Sequence, residues 1–77
     1  MTTKVLIPKA GMGITEATVA KWLKAEGEQV VDGEPIVELE LAKAVQEVNA
    51  PAGGVLARIL LKEGETAPVY TPIAEIE

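Results

Sequence analysis

The 77-residue chain contains no cysteine and no histidine, and its aromatic residues are limited to Trp22 and Tyr70. Without cysteine it can form neither a disulfide nor a cysteine-based metal site. The missing histidine removes the commonest general base and metal ligand, so we expect no catalytic residue and no metal site in this chain. The core must come from aliphatic residues, and the abundance of valine and isoleucine favours a pleated sheet over a helical bundle.

Basic runs and long hydrophobic runs are also missing. The net charge is −5, which disfavours binding to nucleic acid or to an anionic membrane. The first residues lack the apolar stretch of a signal peptide, and no segment approaches the roughly 18 apolar residues that span a membrane. These features predict one small domain, residues 1–77, in a reducing cytosol.

What the chain does contain is an internal repeat at an offset of 37 residues. When Val19–Glu40 is set above Leu56–Glu77, nine of the 22 positions are identical. The match extends backwards after a shift, because the first half carries six extra residues within Gly11–Ala17. Two glycines near the start of this insertion suit an exposed loop.

Each half of the repeat, about 4–41 and about 45–77, has the pattern of four short strands separated by E-G-E and D-G turn signals. Neither half alone can bury an apolar face, but two halves related by a pseudo-twofold axis can bury one between them. We therefore predict an all-β flattened sandwich or barrel with quasi-twofold symmetry. The predicted strands are about Val5–Ile7, Thr18–Leu23, Gln29–Val31, Ile36–Leu41, Val45–Asn49, Val55–Leu61, Thr66–Pro68 and Ile73–Ile76.

A single lysine, Lys43, interrupts the alternating stretch E-L-E-L-A-K-A-V-Q-E. If Ala42 and Lys43 form a two-residue turn, the apolar faces of the two strands agree, and Lys43 lies at the tip. A slip of one residue would turn every apolar side chain outward, so this register is favoured. The predicted pairs are Leu41 with Ala44, Glu40 with Val45, Leu39 with Gln46, Glu38 with Glu47, and Val37 with Val48.

The repeat also predicts where this lysine lies in the molecule. Glu40 is equivalent to the last residue, Glu77, so a twofold axis would place the Lys43 turn and the chain ends at opposite ends. A lysine far from the chain ends is well placed to visit other proteins. Spacing alone leaves the alternative of an ordinary solvated turn lysine open.

The chain as a whole resembles the lipoyl and biotinyl attachment domains. It most resembles the lipoyl branch found in acyltransferase (E2) components of 2-oxo acid and acetoin dehydrogenase complexes. The resemblance implies the hammerhead-type fold of that family, a flattened barrel of two four-stranded antiparallel sheets. The motifs that carry it are I-P-K-A-G, G-I-T-E-A-T-V-A-K-W-L, E-G-E-Q-V, G-E-P-I-V-E-L-E, N-A-P-A-G-G-V-L and E-G-E-T-A-P-V, together with the lysine hairpin.

The resemblance implies that Lys43 carries lipoate through an amide. The family site usually has E-T-D-K-A or E-T-E-K-A, and Glu40, Lys43 and Ala44 match it, whereas Leu41 replaces the threonine and Ala42 the acidic residue. Methionine does not flank Lys43 as it does in the biotin branch, so lipoate is favoured over biotin. The modifying enzyme and partners are expected to recognise Glu40, Ala42 and Ala44.

The loop inserted in the first half matches, in position, a family loop that lies near the lipoyl-lysine and helps partners recognise the domain. The residues that we expect to take part are Gly11, Ile14, Thr15 and Glu16. A permissive surface insertion is the alternative reading of this loop.

The resemblance implies a carrier without its own active site. The expected partners are the lipoate-attaching enzyme, E1, the E2 catalytic domain and E3, and the isolated domain is expected to be monomeric. A biotinyl carrier of a carboxylase and an unmodified binding or assembly domain remain alternatives, the latter because of Ala42. The sequence does not identify the acyl group. It leaves open whether the chain stands alone or is part of a longer E2.

Overall fold

The computed structural model describes residues 2–9, 13–41 and 44–77. Within these ranges the chain forms eight strands, and none of the described residues belongs to a helix long and apolar enough to cross a membrane. All eight predicted strands are confirmed, with ends that differ from the prediction by at most two residues. The strands are β1 (Thr3–Leu6), β2 (Glu16–Trp22), β3 (Gln29–Val30), β4 (Pro35–Leu41), β5 (Ala44–Asn49), β6 (Gly54–Ile59), β7 (Thr66–Pro68) and β8 (Pro72–Ile76).

The strands form two four-stranded sheets in which every pairing is antiparallel. One sheet has the order β1-β8-β6-β3 and the other the order β5-β4-β2-β7. The two orders become the same when β1 is exchanged with β5, β8 with β4, β6 with β2, and β3 with β7. This exchange relates the two halves of the chain, so the predicted fold class, with its quasi-twofold symmetry, is confirmed.

Strand β4 shows how the core is built. Val37 and Leu41 are buried and Glu40 is exposed, as a two-residue period predicts. Ile36 is buried as well, because the pairing with β5 shifts just before Val37 and the resulting irregularity interrupts the alternation. The other buried residues, from both halves, are Val5, Ile7, Ala17, Val19, Val30, Leu39, Ala50, Leu56, Ala67, Ile73, Ala74 and Ile76.

Three turns share one construction, in which an acidic residue and a glycine precede a glutamate. In the turn 31–34, the N–H of Glu34 donates to the Val31 carbonyl at 2.9 Å, and the Glu34 carboxylate accepts the Val31 N–H at 3.1 Å. Gly33 supplies the positive φ of 88° that the turn requires. The turns 25–28 and 62–65 repeat these bonds, which confirms the E-G-E and D-G turn signals.

Two glutamates in these turns fasten the halves to each other. The carboxylate of Glu63 accepts the N–H of Trp22 at 2.8 Å, and that of Glu26 accepts the N–H of Ile59 at 2.7 Å. Trp22 and Ile59 are 37 residues apart, and so are Glu26 and Glu63. The two contacts are therefore equivalent, and each joins one half of the chain to the other.

Candidate functional site

The end of the β4–β5 hairpin is where the sequence predicts the modified lysine. The ladder continues to the pair Leu41–Ala44, and all five predicted cross-strand pairs are present. The predicted register is therefore confirmed. Ala42 and Lys43 follow Leu41 in the chain and lie outside the described residues, so the predicted place of the lysine at the tip stays a prediction.

The two strands of this hairpin differ in burial. Leu41, the last residue of β4, is buried in the core and anchors the end of this strand. Strand β5 is an edge strand with little buried surface: Ala44, Val45 and Gln46 are exposed, and only Val48 packs partly against the core. The apolar faces of the two strands agree less well than predicted, because the inward-facing positions of β5 lie beyond the edge of the core.

Strands β2 and β7 reach the same end of this sheet. One row of paired residues crosses all four strands, from Val45 through Glu40 and Thr18 to Thr66. Beyond this row, β4 ends at Leu41, β2 begins at Glu16 and β7 ends at Pro68. Neighbouring strands are about 4.8 Å apart, so the end of β7 lies about 10 Å from the end of β4.

The inserted loop is attached to this end of the sheet through the turn 68–71. The N–H of Tyr70 donates to the carbonyl of Ile7 at 2.7 Å, and the N–H of Val69 donates to that of Thr15 at 3.0 Å. The loop therefore leaves β1 and enters β2 beside two consecutive residues of one turn. Ile14 packs partly against the core.

The structure places Thr15, Glu16, Glu40 and Ala44 at one end of one sheet, whereas Gly11 lies outside the described residues. Their predicted role in recognition stays a prediction. The turn 68–71 belongs to the same region, and sequence reasoning missed it. A signal was available, since the repeat aligns Tyr70 with Gly33.

The outer face of this sheet is acidic. Glu38 and Glu47 are cross-strand partners, which adds like-charge repulsion at the surface. Both of the described ion pairs belong to Lys24, whose Nζ lies 3.9 Å from Glu28 and 3.3 Å from Glu34, while the exposed Lys21 of β2 is the other cross-strand partner of Glu38. Glu16 and Glu40 are exposed and add to the negative charge near the hairpin end.

The pKa of Glu34 is lowered, first because its carboxylate accepts the Val31 N–H and then because it pairs with Lys24.

A groove elsewhere on the surface is open to solvent and lined by residues from both halves, including Trp22, Ile59 and Lys62. It contains none of the described residues that the sequence singled out for recognition. No group of three or more described acidic side chains is arranged to hold a metal ion.

Comparison with known proteins gives one consistent result. The sequence model of the family described as "Biotin-requiring enzyme" (biotin/lipoyl) matches residues 3–76. The dihydrolipoyllysine-residue succinyltransferase component of the 2-oxoglutarate dehydrogenase complex of Bartonella vinsonii subsp. berkhoffii is 46% identical over 77 residues, 100% of this chain and 19% of that protein. The acetyltransferase component of the pyruvate dehydrogenase complex of Rickettsia bellii is 41% identical over 75 residues, 96% of this chain and 18% of that protein.

A solved structure agrees with these relatives. The solution structure of the lipoyl domain of the 2-oxoglutarate dehydrogenase complex from Azotobacter vinelandii is 36% identical, with a TM-score of 0.74 over 95% of both chains. This chain thus has the length of that isolated domain, but it spans only about a fifth of the length of the curated relatives that it matches.

Proposed function

The chain belongs to the biotin/lipoyl attachment family, and from this we propose that it is a lipoyl carrier domain whose Lys43 bears lipoate in amide linkage. The carrier would serve a 2-oxo acid dehydrogenase complex. The named relatives are components of the 2-oxoglutarate and pyruvate complexes, which supports succinyl and acetyl groups as cargo. Acetoin dehydrogenase, the other complex suggested by the sequence, stays a prediction.

The observation that supports this proposal most is the length of the β4–β5 ladder. It continues to the pair Leu41–Ala44. Only two residues of the chain join these paired positions, and one of them is the lysine that the family resemblance assigns to attachment. The residues beside this two-residue segment leave an attached group accessible, because Glu40, Ala44 and Val45 are all exposed.

Amide formation joins the Lys43 amine to the lipoate carboxyl with loss of water, and it removes the positive charge of the lysine. A lipoyl group held by Lys43 would supply a cyclic disulfide that can accept an acyl group with two electrons and a proton at E1, exchange the acyl group for the acceptor's proton at E2, and be reoxidised at E3 by loss of two electrons and two protons. The chain itself contributes no sulfur, because it has no cysteine.

The protein's part in this cycle is mechanical and electrostatic. A packed sheet holds the attachment segment, and the tether raises the effective concentration of the carried group at each partner site. Recognition belongs to the surface around the hairpin end, where Thr15, Glu16, Glu40 and Ala44 lie. No described residue is proposed to take part in bond making or breaking.

Intact mass of the chain, expressed in cells supplied with lipoate and biotin, tests the proposal. We expect one lipoyl adduct on the wild type and none on Lys43→Ala. Lys21→Ala, which removes an exposed lysine of β2, is the matched control and should keep the adduct. An adduct that survives Lys43→Ala would contradict the site, a biotinyl adduct would favour the carboxylase carrier, and no adduct would favour an unmodified binding domain.

A second variant asks whether the departure at Ala42 matters. The family usually has an acidic residue there, so Ala42→Asp should accelerate modification by the lipoate-attaching enzyme if that acid aids recognition. The measurement is the fraction of lipoylated chain against time at limiting enzyme. An unchanged rate would mean that alanine at this position is without consequence for attachment.

A further inference from the structure

Tyr70 has an unusual backbone conformation. It has a φ of 68°, and it is the only residue other than glycine with a positive φ among those the structure describes. A side chain at such a φ crowds the following carbonyl, so the conformation is costly for every residue with a Cβ. Unlike glycine, tyrosine has a Cβ and therefore adopts this φ only at a steric cost. That conformational cost must be offset by some other contribution of the residue.

The equivalent turn in the other half of the molecule has a glycine, which adopts a positive φ without this steric cost. Gly33 is equivalent to Tyr70 through the 37-residue offset, and it has a φ of 88° in the equivalent turn. Its N–H donates to the carbonyl of Ala50 at 2.9 Å, just as the N–H of Tyr70 donates to that of Ile7 at 2.7 Å. The same backbone task is therefore done by glycine in one half and by tyrosine in the other.

Among the residues that the structure describes, the side chain of Tyr70 has no contact that explains its presence. It is 60% exposed, and it is not among the hydrophobic residues packed against the core, although its neighbour Val69 is. Its hydroxyl forms no hydrogen bond with any other described residue. Backbone strain that supports no core contact is typical of residues kept for function.

The position of Tyr70 connects this strain to the attachment region. Its turn holds Ile7 and Thr15, the first and last residues of the connection between β1 and β2 that contains the inserted loop. It also follows β7 at the end of the sheet where β4 ends at Leu41 and β5 begins at Ala44. The turn that carries Tyr70 therefore lies beside the loop, and it follows a strand whose end is about two strand spacings, or about 10 Å, from the end of β4.

We propose that Tyr70 is a contact residue for the E1 component, and that it helps E1 to recognise the carrier during reductive acylation; this inference rests on the proposed function. An exposed aromatic ring on a backbone that is already fixed has the character of an interface anchor, because little freedom is lost on binding. The nearby carboxylates of Glu16 and Glu40 favour a partner whose docking surface is positive.

E1 is the partner that most needs such a contact. The relatives carry about four fifths of their length outside the matched region, and they are E2 chains, so the E2 catalytic domain would be tethered to the carrier. E1 would be a separate molecule that must find the carrier by diffusion. Its step forms a carbon–sulfur bond between groups held by two proteins, and bond formation demands orientation.

The test measures reductive acylation of the lipoylated chain by the E1 component of the source organism's 2-oxoglutarate and pyruvate dehydrogenase complexes. We expect Tyr70→Gly to lower kcat/KM at least tenfold, mainly through KM, with unchanged lipoylation and an unchanged or higher melting temperature. Tyr70→Asn should do the same, since asparagine tolerates a positive φ but lacks the ring. Tyr70→Phe should stay within threefold of the wild type.

Two controls separate E1 contact from other effects. Val31→Ala, in the equivalent turn of the other half and 66% exposed, should leave acylation unchanged. Reoxidation by E3 should stay within twofold in every variant. A loss with Tyr70→Gly but not with Tyr70→Asn would assign the effect to turn flexibility and overturn the proposal, as would an equal loss in the E3 reaction.

The two proposals fail in different ways. A wild-type chain without a lipoyl adduct overturns the carrier function and this inference with it. A wild-type chain that is lipoylated and acylated, with Tyr70→Gly acylated within twofold of the same rate, overturns this inference alone.

Discussion

The two halves of the chain use the same backbone bonds but fill equivalent positions differently. Val30 pairs with Gly54 in one sheet, and the equivalent pair in the other sheet is Ala67 with Ala17. One pair thus combines the larger valine with glycine, which has no side chain, whereas the equivalent pair combines two alanines. The summed side-chain volume of the two pairs differs by only about one carbon, which a packed interior tolerates, so at this position the halves have diverged as a compensated pair.

The divergence is uncompensated at the turns that follow β3 and β7. Asp32-Gly33 in one turn corresponds to Val69-Tyr70 in the other, and Glu34 corresponds to Thr71. The second turn therefore lacks both the glycine and the carboxylate that satisfy the first. This turn is also the one that holds the inserted loop. Symmetry is kept where it supports the fold and lost where only one half faces the proposed attachment region.

The largest effect on stability is expected for a substitution of Gly54, because a side chain there would break the compensated pair with Val30. Its φ is 154°, and a Cβ there would collide with the Glu77 carbonyl oxygen. Gly54→Ala should lower the free energy of unfolding by about 3 kcal/mol, from about 1–3 kcal/mol of backbone strain and a similar overpacking cost. Urea unfolding followed by Trp22 fluorescence measures the change.

The neighbouring glycine provides the control. Gly53 has no positive φ, and a Cβ added to it would meet backbone atoms only at ordinary contact distances of 3.6 Å and 3.7 Å. Gly53→Ala should therefore shift stability by less than about 1 kcal/mol. Equal losses in the two variants would show that Gly54 is not restricted by its approach to Glu77.

A second prediction concerns the contacts that the halves share. Glu26→Ala and Glu63→Ala each remove the acceptor of one backbone N–H, at Ile59 and at Trp22. Each should cost about 1 kcal/mol, and the two costs should agree within a few tenths, because the contacts are equivalent. Urea unfolding of both variants checks this. A loss confined to one of them would mean that the symmetry of these bonds does not extend to their energies.

Much of this architecture could be predicted from the sequence because two independent periods agree. The two-residue alternation and the 37-residue repeat both place strands at the same segments, and the register of β4 on β5 follows from matching their apolar faces. The irregularity that buries Ile36 beside Val37 could not be predicted, since it depends on pairing geometry.

The part of the site that was missed has a different cause. Val69 and Tyr70 are not turn-forming residues, and the conformation of their turn is imposed by bonds to Ile7 and Thr15, which are distant in sequence. Local propensity therefore carried no signal for it. The low burial of β5 was also missed, because an edge position is a property of the sheet order and not of the strand's own residues.

A reciprocal exchange of residues tests the comparison of the two turns directly. Gly33→Tyr should lower the free energy of unfolding by roughly 1–2 kcal/mol, the cost of a side chain in the left-handed region. Tyr70→Gly should raise it by at most about 1 kcal/mol, since glycine also gains freedom in the unfolded chain. Apart from Gly33 itself and its two chain neighbours, no atom lies within 4 Å of the place that a Cβ on Gly33 would take, so collision does not contribute.

Thermal and urea unfolding of the two single variants and the double exchange give the measurement. The double exchange should equal the sum of the single changes, because the turns lie in different halves and share no contact. A gain for Gly33→Tyr, or a loss for Tyr70→Gly, would contradict the view that tyrosine is held there at a cost.

The smallest effect on stability is expected for a substitution of Glu34, whose carboxylate has no counterpart in the turn 68–71. Because the pKa of Glu34 lies below its ordinary value of 4.5 in the folded chain, ionised Glu34 stabilises the fold. This contribution is complete above the ordinary pKa and is lost as the pH falls through the lowered value. Glu34→Gln keeps an oxygen that can accept the Val31 N–H but removes the charge paired with Lys24. The variant should therefore be slightly less stable near neutral pH and lose less stability on acidification, which urea midpoints across the acid range will measure. Parallel pH profiles for variant and wild type would mean that this carboxylate does not distinguish the two turns energetically.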